Sequence, residues 1–461
     1  MEAFQTKKWF STLQLIMLAV ISVDSLRNLP IGAQYGLSLV TFYLIAGVAF
    51  FLPLTWIASQ LATRFPVTGG SYVWVEAAFG KPFGRLSIWL QWSYNIIWYP
   101  TIFAFISSTL ASLVYPDLEN NRWFILITCI CLFWLITSIH THGVRAIAWI
   151  STIGAVIGTL LPMFLIICLA CYWLFAGSPS ATTLSFSGLI PDKNAFKDIA
   201  YFSNILFSLV GIEVIAMHAG NVQNPQKSYP RALIVSAFVI LVSLILSSLA
   251  LCIVMPPAKI MLLSGIMDVF KLFFSTYNFP YGAQITGWCI IIGGLGIASS
   301  WMISIARGLH TAFVSGNASK TLQKLNKNDM PLNILYFQGI IYTVLLSAFI
   351  LLPNINNSYW LLSALASQFS MLYYILLFSA AFKLFRPMRQ DGKINSLFAI
   401  LLPISGGIMS LAGILVGFIP PSNVSADHIL QYELFMISGV LIFCILPLII
   451  IKNNASKNKI N

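Results

Sequence analysis

In the stretch ISVDSLRNLP (residues 21–30), Asp24 and Arg27 stand three residues apart inside an apolar run from about Phe10 to Gly32, and Pro30 follows them. A charge at the centre of a bilayer costs about 2.5–3.5 kcal/mol on insertion scales, so both must face protein or water. Two arrangements satisfy that. An ion pair between residues i and i+3 would hold a continuous helix together. Alternatively, the helix is interrupted near residues 23–28, and its freed N–H and C=O groups line a water-filled cavity, where irregular backbone is tolerated at membrane depth. A second apolar run, YFSNILFSLVGIEVIAMHAGN (201–221), carries Gly211 and Glu213 near its middle. Gly is a poor helix former, and Glu213 is another intramembrane charge. In a half-dry cavity Glu213 would serve as a proton carrier; wedged between helices it would be a permanently neutral, hydrogen-bonded acid.

The elements that must position these residues are membrane spans. Of 461 residues, 58% are apolar and 8% charged, and the mean hydropathy is +0.86. That is too little charge to cover a soluble surface. Runs of about 20 apolar residues, each able to cross a hydrocarbon core of roughly 30 Å, recur along the chain. The pattern predicts an all-α polytopic membrane protein with twelve transmembrane helices, at roughly 11–33, 37–61, 83–113, 123–142, 146–176, 199–219, 231–255, 281–308, 331–352, 359–383, 395–418 and 431–451. The connection 66–82 reads as amphipathic, and 257–280 as a helix lying on the outer face. An even count puts both termini on one side. With that side cytoplasmic, 19 basic residues fall at inner ends and loops, and only Arg122, Lys193, Lys197, Lys259 and Lys271 fall outside. The positive-inside rule therefore predicts cytoplasmic termini. This asymmetry, facing an anionic inner leaflet, accounts for the net charge of +12 without a nucleic-acid partner. The first run is too long for a signal-peptide core and no cleavage site follows, so it is expected to be retained.

Interruptions at matching places five spans apart point to a transporter built from inverted repeats, with its site at the midplane. They favour the broken helix over the ion pair. The repeats would be residues 1–180 (spans 1–5) and 181–394 (spans 6–10), with 395–461 forming peripheral spans 11 and 12 and a short tail. The N–H groups of Ser25 to Asn28, at the start of the second half-helix of span 1, offer a positive dipole end to a carboxylate. Unwound carbonyls near residues 21–23 and 208–211 can accept from an ammonium group. A substrate with both groups is an α-amino acid or a close analogue.

Several motifs carry a family resemblance over nearly the whole chain: LRNLPIGAQYGLS (26–38), PVTGGSYVWVEAAFG (66–80), VGIEVIAMHAGNVQNPQKSYPRA (210–232), ASSWMISIARGL (298–309), KLNKNDMPLN (324–333) and SYWLLSALASQ (358–368). The sequence resembles the amino acid–polyamine–organocation (APC) superfamily, and within it the bacterial glutamate/γ-aminobutyrate antiporter branch. The branch is favoured by Gly-x-Glu followed by Asn-Pro-x-x-x-x-Pro, and by Asn-Lys-x-x-x-Pro after span 8. The resemblance implies a LeuT-type 5+5 inverted repeat with discontinuous helices 1 and 6. It implies secondary transport of amino acids across the bacterial inner membrane by alternating access, as exchange or coupled to protons. A permease for polyamines or other cationic amines is the alternative. Ser22, Val23, Asp24, Ser25, Leu26, Arg27 and Asn28 of span 1, and Ser208, Val210, Gly211 and Ile212 of span 6, look like the unwound substrate-binding segments. Glu213 matches the glutamate linked in relatives to gating or proton coupling, and Asp24 is a second candidate for that role. Asn95 and Trp301 resemble cavity-lining positions, and packing would explain them as well. Where many members have a Gly-Ser-Gly type turn in span 1, this chain has Asp-Ser-Leu-Arg-Asn, so the chemistry of the site is expected to differ. The exchanger's C-terminal plug has no counterpart in the tail KNNASKNKIN, so no plug is expected.

Other chemistries fit less well. His140 and His142 have a His-x-His spacing, but no carboxylate or cysteine ligands lie near in sequence, so an interfacial pair is expected. His218 would line the exit of span 6 or cap that helix. The seven cysteines all lie in apolar runs, which argues against a disulfide framework. Gly293, Gly294 and Gly296 permit close helix packing and follow no strand, so they form no dinucleotide fingerprint. A membrane enzyme would need a nucleophile or metal triad beside Asp24 and Glu213, and none is evident. A sensor would usually gain an output domain. No metal or other cofactor is expected. The expected partners are a small-molecule amino acid, protons and the lipid bilayer, with a monomer or homodimer as the assembly.

Overall fold

The structure, a computed structural model, describes residues 11–65, 70–142, 154, 156–192, 196, 198–222, 224–315, 321–351, 354–392, 394–420, 429–430 and 432–441, with backbone alone at 120, 217–221, 315 and 351. The described residues are mostly helical, and no strand forms among them. Ten helical stretches there are long and apolar enough to cross a membrane. The first, Thr12–Ala33, holds α1 (Thr12–Val23) and α2 (Leu29–Ala33). The second joins α3 (Leu39–Ala46) to α4 (Leu52–Arg64) through a π turn at Gly47–Phe51. A short helix, α5 (Ser71–Phe79), leads into α6 (Lys81–Val114) and then α7 (Arg122–His140). A π turn at Val156–Leu160 opens α8 (Leu161–Phe175). The later spans are α10 (Pro225–Val254), α12 (Gly282–Ser315), α13 (Leu332–Leu345, extended to Ile350), α14 (Ile355–Gln390) and α15 (Ser396–Gly417).

The expected spans at 199–219 and 431–451 coincide with shorter apolar helices. One is Ala200–Ala216, which contains α9 (Ala200–Ser208); the other is α16 (Tyr432–Leu441). The start of the expected span 5, Cys444 and the C-terminal tail lie outside the described residues, as does the side chain of His218. In the connection 257–280, α11 (Gly265–Thr276) buries Met267, Phe270 and Phe274 against the bundle. Lys271 of that helix pairs with Glu119 at 3.0 Å.

Burial sorts the helices by role. α6 packs against α12 and α14 and is buried on every side from Ser87 to Thr109. α7, α8, α10 and α15 leave rows of large apolar side chains outside, among them Ile127, Phe164, Phe238 and Ile408. A bilayer covers such faces without penalty. Glycines set the closest approach: a Cβ on Gly158 would collide with the backbone of Gly293, so the π turn before α8 and helix α12 meet backbone to backbone.

Candidate functional site

Pro30 stands in the first turn of α2, where its missing N–H would have no helical partner in any case. The chain upstream leaves the helical path. α1 ends at Val23, the N–H of Asp24 closing on Val20 O at 2.7 Å. Asp24 and Ser25 are extended, with ψ of 124° and 125°, and Leu26–Asn28 form a 3-10 turn into α2. The last carbonyls of α1 and the first N–H groups of the next turn are left without helical partners.

Gly211 does the same in the sixth apolar stretch. α9 ends at Ser208 and a 3-10 helix resumes at Ile212. Between them Gly211 has φ of +111°, a conformation that side chains with a Cβ rarely adopt. Its N–H donates to the Tyr374 hydroxyl at 3.0 Å. That hydroxyl in turn donates to Glu213 Oε2 at 3.0 Å, and Tyr373 donates to Oε1 at 3.4 Å. Glu213 is 1% exposed, and both of its oxygens are met by tyrosine hydroxyls of α14.

The two irregular segments meet at one cavity of about 40 Å³, room for about three waters. Ser22, Val23, Asp24, Ser25, Arg27 and Asn28 line it from span 1, and Val210 from the sixth stretch. Asn95 of α6 and Trp301 of α12, also expected from sequence, line it as well. Leu26, Ser208, Gly211 and Ile212 do not line the cavity; they are buried in the packing around it. Ser208 bonds the Ile205 carbonyl instead. Sequence reading missed Tyr94, Trp98, Phe207 and Ile297, which form the rest of the wall together with Ile21. Tyr94 and Trp98 sit 6.4 and 6.3 Å from the Trp301 ring, so three aromatic rings cluster in the wall.

Asp24 and Arg27 do not pair with each other. Asp24 Oδ2 accepts from Ser243 of α10 at 2.9 Å, and Oδ1 has no partner. Arg27 Nη1 donates to Thr101 at 3.1 Å and to Tyr359 and Ser363 at 3.3 Å. Its guanidinium lies 5.7 Å from the Trp98 ring centre and 5.9 Å from those of Phe207 and Tyr359. The continuous-helix ion pair considered from sequence is thus not what forms. The helix breaks between the two residues, and the break turns their side chains toward different neighbours.

His140 and His142 lie at the end of α7, as the sequence suggested, but not as a pair. His140 is buried, with Nε2 2.9 Å from Ser299 Oγ of α12, while His142 is exposed.

With this geometry in view, the relatives are informative. The chain is 42% identical to an uncharacterised transporter of Legionella pneumophila, over 97% of this chain and 98% of the relative. It is 24% identical to a glutamate/γ-aminobutyrate antiporter of Lactococcus lactis, over 96% and 90%. It is 25% identical to a probable agmatine/putrescine antiporter of the same species, over 97% and 95%. Among solved structures, MhsT in complex with L-phenylalanine, a LeuT-type fold, superimposes with a TM-score of 0.59 at 16% identity, covering 90% of this chain and 99% of that one. The amino acid permease family model matches residues 8–449, and the chain belongs to that family of multi-pass membrane transporters rather than to any family of enzymes.

Proposed function

We propose that this protein carries amino acids across the bacterial inner membrane by alternating access, through exchange or coupling to protons. The observation that carries the reading is the meeting of two irregular segments, Asp24–Asn28 and Leu209–Gly211, at one cavity in the middle of the apolar bundle. Freed backbone groups at that depth suit a zwitterion, whose carboxylate and ammonium groups they can bind. On this reading residues 1–180 and 181–394 are inverted repeats, each contributing one discontinuous helix, and both termini are cytoplasmic. The cavity at about 40 Å³ is too small for an amino acid, which fits a closed conformation that must open toward one side to load. Glu213, held by Tyr373 and Tyr374 beside the second break, is the proposed proton-linked group.

The test is counterflow in proteoliposomes. Vesicles are loaded in turn with glutamate, γ-aminobutyrate, arginine and a neutral amino acid, and uptake of labelled substrate is followed at pH 5.5 and 7.5. Saturable uptake that depends on the loaded amino acid is the expected result. Uptake from folded protein that never exceeds that of empty vesicles, with every amino acid, would sink the proposal.

A further inference from the structure

We infer that Arg27 is the carboxylate anchor of the cavity, so that the cargo must carry a carboxylate and amines lacking one are excluded. The inference rests on the transport reading above and narrows it. Arg27 is 2% exposed and lies in the cavity wall. A guanidinium removed from water normally finds an anion, because its desolvation is costly and a carboxylate matches its fork. Arg27 finds none among the described residues. Asp24, the nearest carboxylate in sequence, bonds Ser243, and Glu213 bonds two tyrosines. The acceptors on Nη1 are three neutral hydroxyls, and Nε has no partner.

The rings around the guanidinium explain how the cation is tolerated without a carboxylate partner among the described residues. Trp98, Phe207 and Tyr359 approach it at cation–π distances, and a ring face partly replaces the missing anion. This arrangement holds the charge without neutralising it. Bringing a diamine or a guanidino-amine into the same cavity would add like charge beside Arg27, with only Asp24 to offset it. A carboxylate would supply the absent counter-charge, while Asp24 Oδ1, also without a partner, stands in the same wall for an ammonium group.

The decisive comparison uses the wild-type protein. Uptake of a labelled amino acid that shows counterflow is competed with leucine, leucinamide, glutamate, γ-aminobutyrate, putrescine and agmatine. Carboxylates should compete, and leucinamide, putrescine and agmatine should not. In parallel, Arg27→Gln should raise the half-saturation concentration at least about tenfold, the loss typical of a charged hydrogen bond, with Arg27→Lys in between. Variants are compared only if monodisperse with a wild-type melting curve; if neither qualifies, the competition decides. Leucinamide or putrescine competing as well as the acids overturns the anchor while leaving transport intact, as does a folded Arg27→Gln with unchanged half-saturation. Absence of counterflow with every probe overturns the transport reading and the anchor with it.

Discussion

Gly211 presses directly on the indole of Trp301: a Cβ at that position would lie 2.7 Å from Trp301 Cζ2 and 2.8 Å from the Ser22 carbonyl oxygen. One glycine thus brings the sixth-stretch break against both α12 and the end of α1.

Gly211→Ala should therefore destabilise the fold. The φ of +111° alone costs about 1–3 kcal/mol for a residue with a Cβ, and the two close contacts add to it. A fitting control is Gly407→Ala in α15, where a new Cβ meets nothing within 4 Å and a helical glycine is replaced, for a gain of about 0.5–1 kcal/mol. Melting temperatures in detergent should fall for Gly211→Ala and hold or rise for Gly407→Ala. Equal melting of Gly211→Ala and wild type would refute the close approach.

The charges in apolar runs were the legible part of the site. Asp24, Arg27 and Glu213 stand out because hydrocarbon penalises them, and Pro30 and Gly211 lie beside the two breaks. Tyr94, Trp98, Phe207 and Ile297 were not legible. In a membrane span, apolar side chains face lipid, protein or cavity alike, so no periodicity separates the three. Leu26, Ser208, Gly211 and Ile212 stand outside the cavity wall for a related reason: a break is a local feature, but side-chain directions across irregular backbone depend on the surrounding helices. The contact of His140 with Ser299 was not legible because the two lie 159 residues apart. The apolar spans themselves follow from length and hydropathy, and α11 from its buried Met267, Phe270 and Phe274.

The approach of the two glycines at the α8–α12 crossing predicts a steep cost for the smallest enlargement. A methyl on Gly158 runs into the Gly293 backbone and the Cys289 carbonyl, and backbone cannot swing aside as a side chain can. Gly158→Ala should lower the yield of monodisperse protein and its melting temperature, whereas Gly407→Ala holds or raises the latter. A normal melting curve would mean that the spans sit farther apart than described.

Asp268 of α11 gives a pH dependence whose sign can be worked out. Burial pushes its carboxyl above the ordinary 3.8, with Glu119 adding to the rise, while the Ser264 hydroxyl and Lys271 oppose it. The folded state therefore holds this proton to higher pH than the unfolded chain does. As pH rises above the ordinary value, the unfolded chain ionises first, and stability falls until the folded carboxyl ionises as well. Asp268→Asn keeps a side-chain oxygen for the Ser264 hydroxyl, now 2.8 Å from Oδ2, and removes the ionisation. The variant should melt above wild type at pH 7.5, with the gap narrowing as pH is lowered to 4.5. A gap that widens at low pH would reverse the assignment.

Glu213 and Tyr374 tie protonation to the shape of the second break, since the same hydroxyl accepts from the Gly211 N–H and donates to the carboxylate. Adding a proton to Glu213 removes the charge that orients Tyr374 and supplies a new donor in its place, which must find another acceptor. The titratable groups around it are Tyr373 and Tyr374 from α14, with Tyr94 of α6 in ring contact with Tyr373 at 6.0 Å. If Glu213 is the proton-linked group, wild-type counterflow should change between pH 5.5 and 7.5 by up to about tenfold per pH unit, the limit for one titrating group. Glu213→Gln should flatten that profile while still binding substrate. Tyr373→Phe, which removes the longer of the two hydrogen bonds, should keep the profile. Tyr374→Phe should lower the rate at both pH values, because the Gly211 N–H loses its acceptor. A Glu213→Gln profile as steep as that of wild type would assign the proton to another carboxylate, with Asp24 the next to substitute.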